Sequence, residues 1–223
     1  FYQEYMNIAQ SPDNAPFKPE WIQLHHYDYE RINGQNCLTR EVGDEKKIIP
    51  IDVYCGVDPA SSLSARADFF VVATIGVDND NNKYIIDIYR NRISPAQQPQ
   101  ILIDTYKKYK PRRMKVETVG YQEALRTAVR DLMREEELYK PRNSKSERLL
   151  SLVPLFAKKQ FHFRPQDIEP QQEFLSYPKG KHDDVMDAVW TALDGVKPCR
   201  LKSFDPDAEE KTFSKKILDW MTM

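Results

Sequence analysis

Apolar and polar positions alternate most clearly in the middle of the chain. From Ile51 it reads IDVYCGVDPA, then, after SSLSAR, DFFVVATIGVD and KYIIDIYRN. These β-branched and aromatic runs, separated by turn residues, predict three successive strands, the second and third joined as a hairpin across DNDNN. The segment SPAQQPQILIDTYKKYK, residues 94–110, predicts a helix that begins near Ser94 with Pro95 in its first position, and PRRMKVET predicts a fourth strand. In residues 121–138, Leu125, Val129, Leu132 and Met133 recur at helical spacing, which predicts an amphipathic helix. A further helix is expected over SKSERLLSLVPLFAKKQ, opened by a capping box at Ser144 and Glu147, followed by a short strand at FHFR. The last strong element is a helix over about residues 182–194, stopped by Gly195 and Pro198.

These elements make a mixed α/β layer structure over residues 51–197: the hairpin supplies antiparallel pairs and the crossover helix a parallel one. Residues 1–50 are punctuated by proline, asparagine and aspartate, which discourages long regular elements, and are expected to form a lead-in wrapped on that domain. Residues 198–223 read as a charged tail with at most one short helix near its end.

The closing helix contains an anomaly. In GKHDDVMDAVW, three aspartates fall within five positions of a segment that is otherwise apolar. At 100° per residue, with Asp184 at zero, Asp187 falls near about 300°, Thr191 near about 340° and Asp194 near about 280°, a single narrow seam. Val185, Met186, Ala188, Val189, Trp190, Ala192 and Leu193 cover the remainder. A helix apolar around most of its circumference is buried, so its acids must face partners or a lined cavity. Asp183 lies off the seam, at the position of an N-cap whose side chain accepts a backbone N–H. The plainer alternative is that Asp183 and Asp184 only complement the helix macrodipole, but Asp187 sits a turn further in.

Two other acids share this placement. In VYCGVDPA, Val53, Cys55 and Val57 alternate on one face, leaving Asp58 on the other at the strand end, with Pro59 stopping the ladder. Glu117 likewise ends the strand in RRMKVETVG. Either alone reads as a turn acid. Together with Asp184 and Asp187 they form a set whose mutual repulsion calls for a cation. Hard carboxylate oxygens suit Mg²⁺ or Mn²⁺, and two such ions roughly 4 Å apart activate water and stabilise a leaving oxygen in phosphodiester cleavage.

Composition narrows the alternatives. The 223 residues are 40% hydrophobic, enough for one sizeable core, and 33 basic residues nearly cancel 34 acidic ones, so any nucleic-acid surface must be a local patch. Basic residues do gather at Lys140, Arg142, Lys145 and Arg148, and at Lys179 and Lys181. By default these form a solvated face; beside a metal cluster, Arg142, Lys145, Arg148 and Lys181 suit phosphate contacts. Cys37, Cys55 and Cys199 show no CxxC pair, which fits a reducing cytosol and neither a disulfide framework nor a structural zinc site. No apolar run reaches the roughly 20 residues that cross a bilayer, so no membrane partner is expected, and no signal peptide is evident. The first residue is Phe, which suggests a fragment of a longer protein. DNDNNKY departs from an EF-hand loop at Lys83 and Tyr89, and a hairpin turn is expected there instead. The chain contains no GxxxxGK[ST], HExxH or GxSxG.

GVDPA at a first strand end, VET at a fourth and KHDDVMDA on a closing helix resemble the nuclease domain of the large terminase subunit of tailed bacteriophages, which has a ribonuclease H-like fold: a central mixed sheet with helices on both faces. FYQEYMN with FKPEW resembles the segment that follows the packaging ATPase in that family, and SKSERLLSLVPLFAKKQFHF a segment between its second and third acids, so the likeness spans about residues 1–195. The resemblance implies that the absent P-loop belongs to an ATPase domain upstream. It also implies that Asp58 and Glu117 ligate metal, with Asp184 or Asp183 as third acid. The related Holliday-junction resolvases place two acids three apart before Ala, matching Asp184 and Asp187, so the assignment within the cluster stays open. Asp68 resembles an auxiliary acid. The implied activity is Mg²⁺- or Mn²⁺-dependent cleavage of concatemeric viral DNA during packaging, in the cytoplasm of the bacterial host, with double-stranded DNA, the portal protein and the small terminase as partners. A junction resolvase and a non-catalytic module docking DNA or a capsid protein are the competing readings.

Overall fold

The computed structural model describes residues 15–43, 45–59, 69–117, 138–139 and 143–199. The strands are β1 (Gln23–Leu24), β2 (Asp28–Ile32), β3 (Gln35–Val42), β4 (Glu45–Pro50), β5 (Asp52–Asp58), β6 (Phe70–Val77), β7 (Lys83–Asn91), β8 (Arg113–Glu117), β9 (Leu138–Tyr139) and β10 (Phe161–Phe163). The helices are α1 (Gln98–Tyr109), α2 (Lys145–Leu150), α3 (Val153–Ala157), α4 (Ile168–Ser176) and α5 (Asp184–Leu193). Seven strands form one sheet in the order β1-β10-β7-β6-β5-β8-β9, and β2-β3-β4 form a second, antiparallel one.

The three strands predicted from Ile51 onward pair as an antiparallel meander, and the fourth, β8, joins β5 in parallel after the α1 crossover. The turn between β6 and β7 is closed by Asp78, whose carboxylate accepts bonds from the Asn82 backbone N–H at 2.8 Å, the Asn82 amide at 2.9 Å and the Tyr84 hydroxyl at 3.1 Å. That is a side-chain-locked turn, as expected for DNDNN.

The two faces of the main sheet follow from the period-2 alternation, which a bulge in β7 opposite Thr74 and Ile75 resets so that Ile85 and Ile88 share one face. Val71, Ala73, Ile75 and Val77 of β6 pack with Val185, Met186, Ala188 and Val189 of α5 and with Phe156, Phe161, Phe163 and Phe174. Phe70 and Val72, with Val53, Cys55 and Val57 of β5 and Met114 and Val116 of β8, face α1 and the second sheet through Leu102, Tyr109, Tyr27 and Leu38. Helices therefore cover both faces, as the ribonuclease H-like expectation requires.

Three local readings differ from the structure. Residues 23–50 hold four strands, because the turn at Asn33–Gly34, both at positive φ, closes a β2–β3 hairpin whose polar residues face outward. The segment expected as one helix after Ser144 is two, α2 and α3, with a turn at Ser151–Leu152; its capping box is present, Ser144 accepting from the Glu147 N–H at 3.3 Å. Helix α4 carried no apolar periodicity strong enough to announce it. The helix expected over residues 121–138 and the tail beyond Cys199 lie outside the described residues.

One position governs how closely the layers approach. Helix α5 crosses β5 at Gly56, where a Cβ would lie 2.0 Å from the Ala188 carbonyl oxygen and 2.2 Å from the Ala192 nitrogen. These are backbone atoms of the helix and cannot yield as a side chain would. Gly56→Ala should therefore lower stability by about 3 kcal/mol or more, read as a shifted urea midpoint.

His162 supplies a pH dependence. Its ring stacks on Tyr84 with centroids 4.7 Å apart, and neither ring nitrogen has a hydrogen-bond partner among the described residues. Burial, then the neighbouring His25, lowers its pKa from 6.5 to about 4. The unfolded chain thus binds the proton more readily, so the stability contributed is complete above about pH 6.5 and is lost as pH falls toward about 4. The melting temperature should drop across that window, and His162→Phe, which keeps the stacked ring, should flatten the drop.

Candidate functional site

On β5 the residues facing α5 are Tyr54, Gly56 and Asp58, the alternates of those in the opposite core. On β8 they are Arg113, Lys115 and Glu117. The parallel register sets Val57 beside Val116, so Asp58 and Glu117 end adjacent strands on the same face. Because α5 lies across Gly56, its first turn overhangs these strand ends, and Asp184 and Asp187 are both buried beneath it.

The electrostatics report the convergence. Burial, and then repulsion from Asp187, Glu117 and Asp184, pushes the Asp58 carboxyl well above the ordinary aspartate range. Asp187 is also raised, by burial first, against the opposing pull of Lys145 and Arg148. Carboxylates from two strand ends and one helix are therefore brought together.

Three basic side chains pair with the cluster. Lys145 Nζ reaches Asp183 Oδ1 at 2.7 Å and Asp187 Oδ2 at 2.5 Å, bridging two acids. Arg148 Nη1 lies 3.0 Å from Glu117 Oε2, and its Nη2 lies 3.5 Å from Asp187 Oδ1. Arg90 of β7 approaches from the buried side, with Nη2 3.5 Å from Asp184 Oδ2 and Nη1 3.8 Å from Glu173 Oε2. Among the described residues, no group of three or more Asp, Glu, His or Cys side chains is gathered tightly enough to hold a metal as the side chains stand. The donor set nevertheless suits a hard cation: all are carboxylates, and among the described residues the buried Oδ1 of Asp187 accepts no hydrogen bond and lies 3.5 Å from Arg148 Nη2.

Several sequence-read positions fall differently. Asp183 occupies the N-cap position of α5, but its side chain makes no capping bond and pairs with Lys145 instead. The capping is done by Glu173 of α4, whose Oε1 accepts from the Met186 N–H at 3.0 Å. Arg148, read as a phosphate contact, is buried behind Trp190 and turned onto the acids, because the capping box aligns positions 145 and 148 on the face of α2 toward α5. Lys181 is exposed on the approach to α5. Asp68 and Arg142 lie outside the described residues. Glu173 and Arg90 were not singled out from sequence: neither lies in a motif, and only the fold brings β7 and α4 to the first turn of α5.

Arg90 is 8% exposed and stacks on the Phe69 ring at 4.1 Å. Replacing it removes the guanidinium that lies between the buried carboxylates of Glu173 and Asp184, so Arg90→Met should destabilise the fold by about 3 kcal/mol, measured by chemical denaturation.

Fold and site together define a ribonuclease H-like α/β domain with acids gathered at the ends of adjacent central strands. The model of the family described as Terminase RNaseH-like domain matches residues 55–194, and the chain belongs to that family. In three dimensions it is similar to the large terminase nuclease of thermophilic phage G20c with bound magnesium, at 20% identity and a TM-score of 0.56, covering 83% of this chain and 99% of that one. It is also similar to the large terminase nuclease domain of Thermus phage P74-26, at 18% identity and 0.53 over 84% and 100% of the two chains. The P22 large terminase nuclease domain gives 16% and 0.52 over 82% and 92%. Other structures of the G20c nuclease hold zinc or cobalt. No curated protein sequence matches the chain.

Proposed function

We propose that this domain is a divalent-cation-dependent endonuclease that cuts double-stranded viral DNA during genome packaging. The observation that carries the reading is the convergence on Asp58: a buried acid at a strand end, its carboxyl raised first by that burial and then by three other carboxylates that only the fold brings near it. Such an arrangement costs stability unless it serves to hold cations. The magnesium, zinc and cobalt of the G20c structures support the same choice of ligand chemistry.

In this reading Asp58, Glu117 and Asp187 hold the ions, with Asp184 beside them and Asp183 at the rim. When bound, two Mg²⁺ or Mn²⁺ ions supply activation of a water and stabilisation of the leaving oxygen. The chain's own residues do the rest. Arg148, buried and paired with both Glu117 and Asp187, fixes the carboxylates' orientation, and Arg90 with Glu173 anchors the turn carrying Asp184. Lys181, exposed ahead of α5, and Lys145 lie on the side from which a phosphate backbone approaches. The portal protein and the small terminase are the partners the family context suggests, and the host cytoplasm the compartment; among the described residues no helix is long and apolar enough to cross a membrane.

Plasmid nicking in Mg²⁺ or Mn²⁺ tests the assignment. Asp58→Asn should lower cleavage at least about 10³-fold with melting temperature unchanged or raised, since it removes one of several repelling charges. Undiminished nicking by that variant would overturn the assignment. Strong preference for a four-way junction over linear duplex would move the protein to the resolvases.

A further inference from the structure

Lys145 and Arg148 both touch the acids, but they are not equivalent. The Arg148 side chain is 7% exposed, packed over Trp190 at 5.1 Å and paired with Glu117. It cannot leave without opening the core. The Lys145 side chain is 46% exposed and reaches inward from the surface of α2 to Asp187, itself 4% exposed. Its ammonium bridges two carboxylates, as a bound cation would, on the open side of the cluster. A flexible four-carbon stem carrying a compact charge is suited to withdrawal into water.

We propose that Lys145 is a resident counter-ion that occupies the cation site of the metal-free protein and is displaced by the divalent ion. This rests on the metal-site reading above and adds to it a competition: the ion must displace an ammonium from Asp187 before it can bind. The arrangement offsets part of the cluster's negative charge when no metal is present, lowering the cost of unbalanced buried charge. It also releases a cation at the site's mouth as the metal enters, where a DNA phosphate can accept it. Arg148 stays in place in both states.

Displacement has a direct readout in the unmodified chain. Labelling of lysines with an amine-acylating reagent, followed by mass spectrometry, should show Lys145 modified slowly in chelator. Saturating Mn²⁺ should speed it roughly threefold or more, as expected when a partly exposed ion pair is released. Lys46 and Lys108, distant on the surface, should not change. In parallel calorimetry Lys145→Gln should bind Mn²⁺ roughly threefold to tenfold tighter, while Lys145→Arg, which keeps the charge, should not. Mn²⁺ binding with Lys145 labelling unchanged would overturn the displacement and leave the metal site standing. Absence of Mn²⁺ binding in the unmodified chain would overturn both.

Discussion

The approach of α5 to β5 over Gly56 is the constraint from which the remaining arrangement follows. With no side chain at that position the helix backbone meets the strand backbone, and the first turn of the helix is carried over the ends of β5 and β8. Burial of Val185, Met186, Ala188 and Val189 against β6 is the gain that holds it there. The carboxylates come along as a consequence of register: Asp58 and Glu117 by strand alternation, Asp184 and Asp187 by the helical period. Their repulsion is the electrostatic cost of that packing, and the basic side chains offset it.

The counter-charges arrive from three directions and differ in permanence. Arg90 lies beneath the sheet's α5 face on β7, locked against Phe69 and shared between Asp184 and Glu173. Arg148 is fixed by Trp190, whose indole N–H in turn donates to Ser151 at 3.0 Å. Lys145 alone of the three is largely at the surface. A cluster so supported is rigid on its inner side and adaptable on its outer side, which is what a site needs if it must exist both with and without its ligand.

Much of the fold was readable before any coordinates because alternation and helical spacing are local signals. The β5–β6–β7 meander, β8 and the buried seam of α5 with Asp184 and Asp187 all came from periodicity, and Asp58 and Glu117 from their positions at strand ends. What escaped was non-local. The strands of residues 23–50 are short and polar on one side, so their pattern resembles that of a loop until β3 supplies a partner on each edge. The capping of α5 by Glu173 and the pairing of Asp184 with Arg90 join residues separated along the chain by no fixed spacing, and neither leaves a mark in the sequence. Asp183 showed the converse: a position with the right residue type for a cap, whose side chain is taken by a nearby ammonium instead.

That exchange of roles has a wider meaning for the closing helix. Its leading end is secured by an acid borrowed from α4, so none of its own carboxylates is needed to keep the first turn wound. Reactive groups can thus trade partners, bare or ligated, while the scaffold that presents them stays still. Architecture and chemistry share a single turn of backbone yet answer to different side chains.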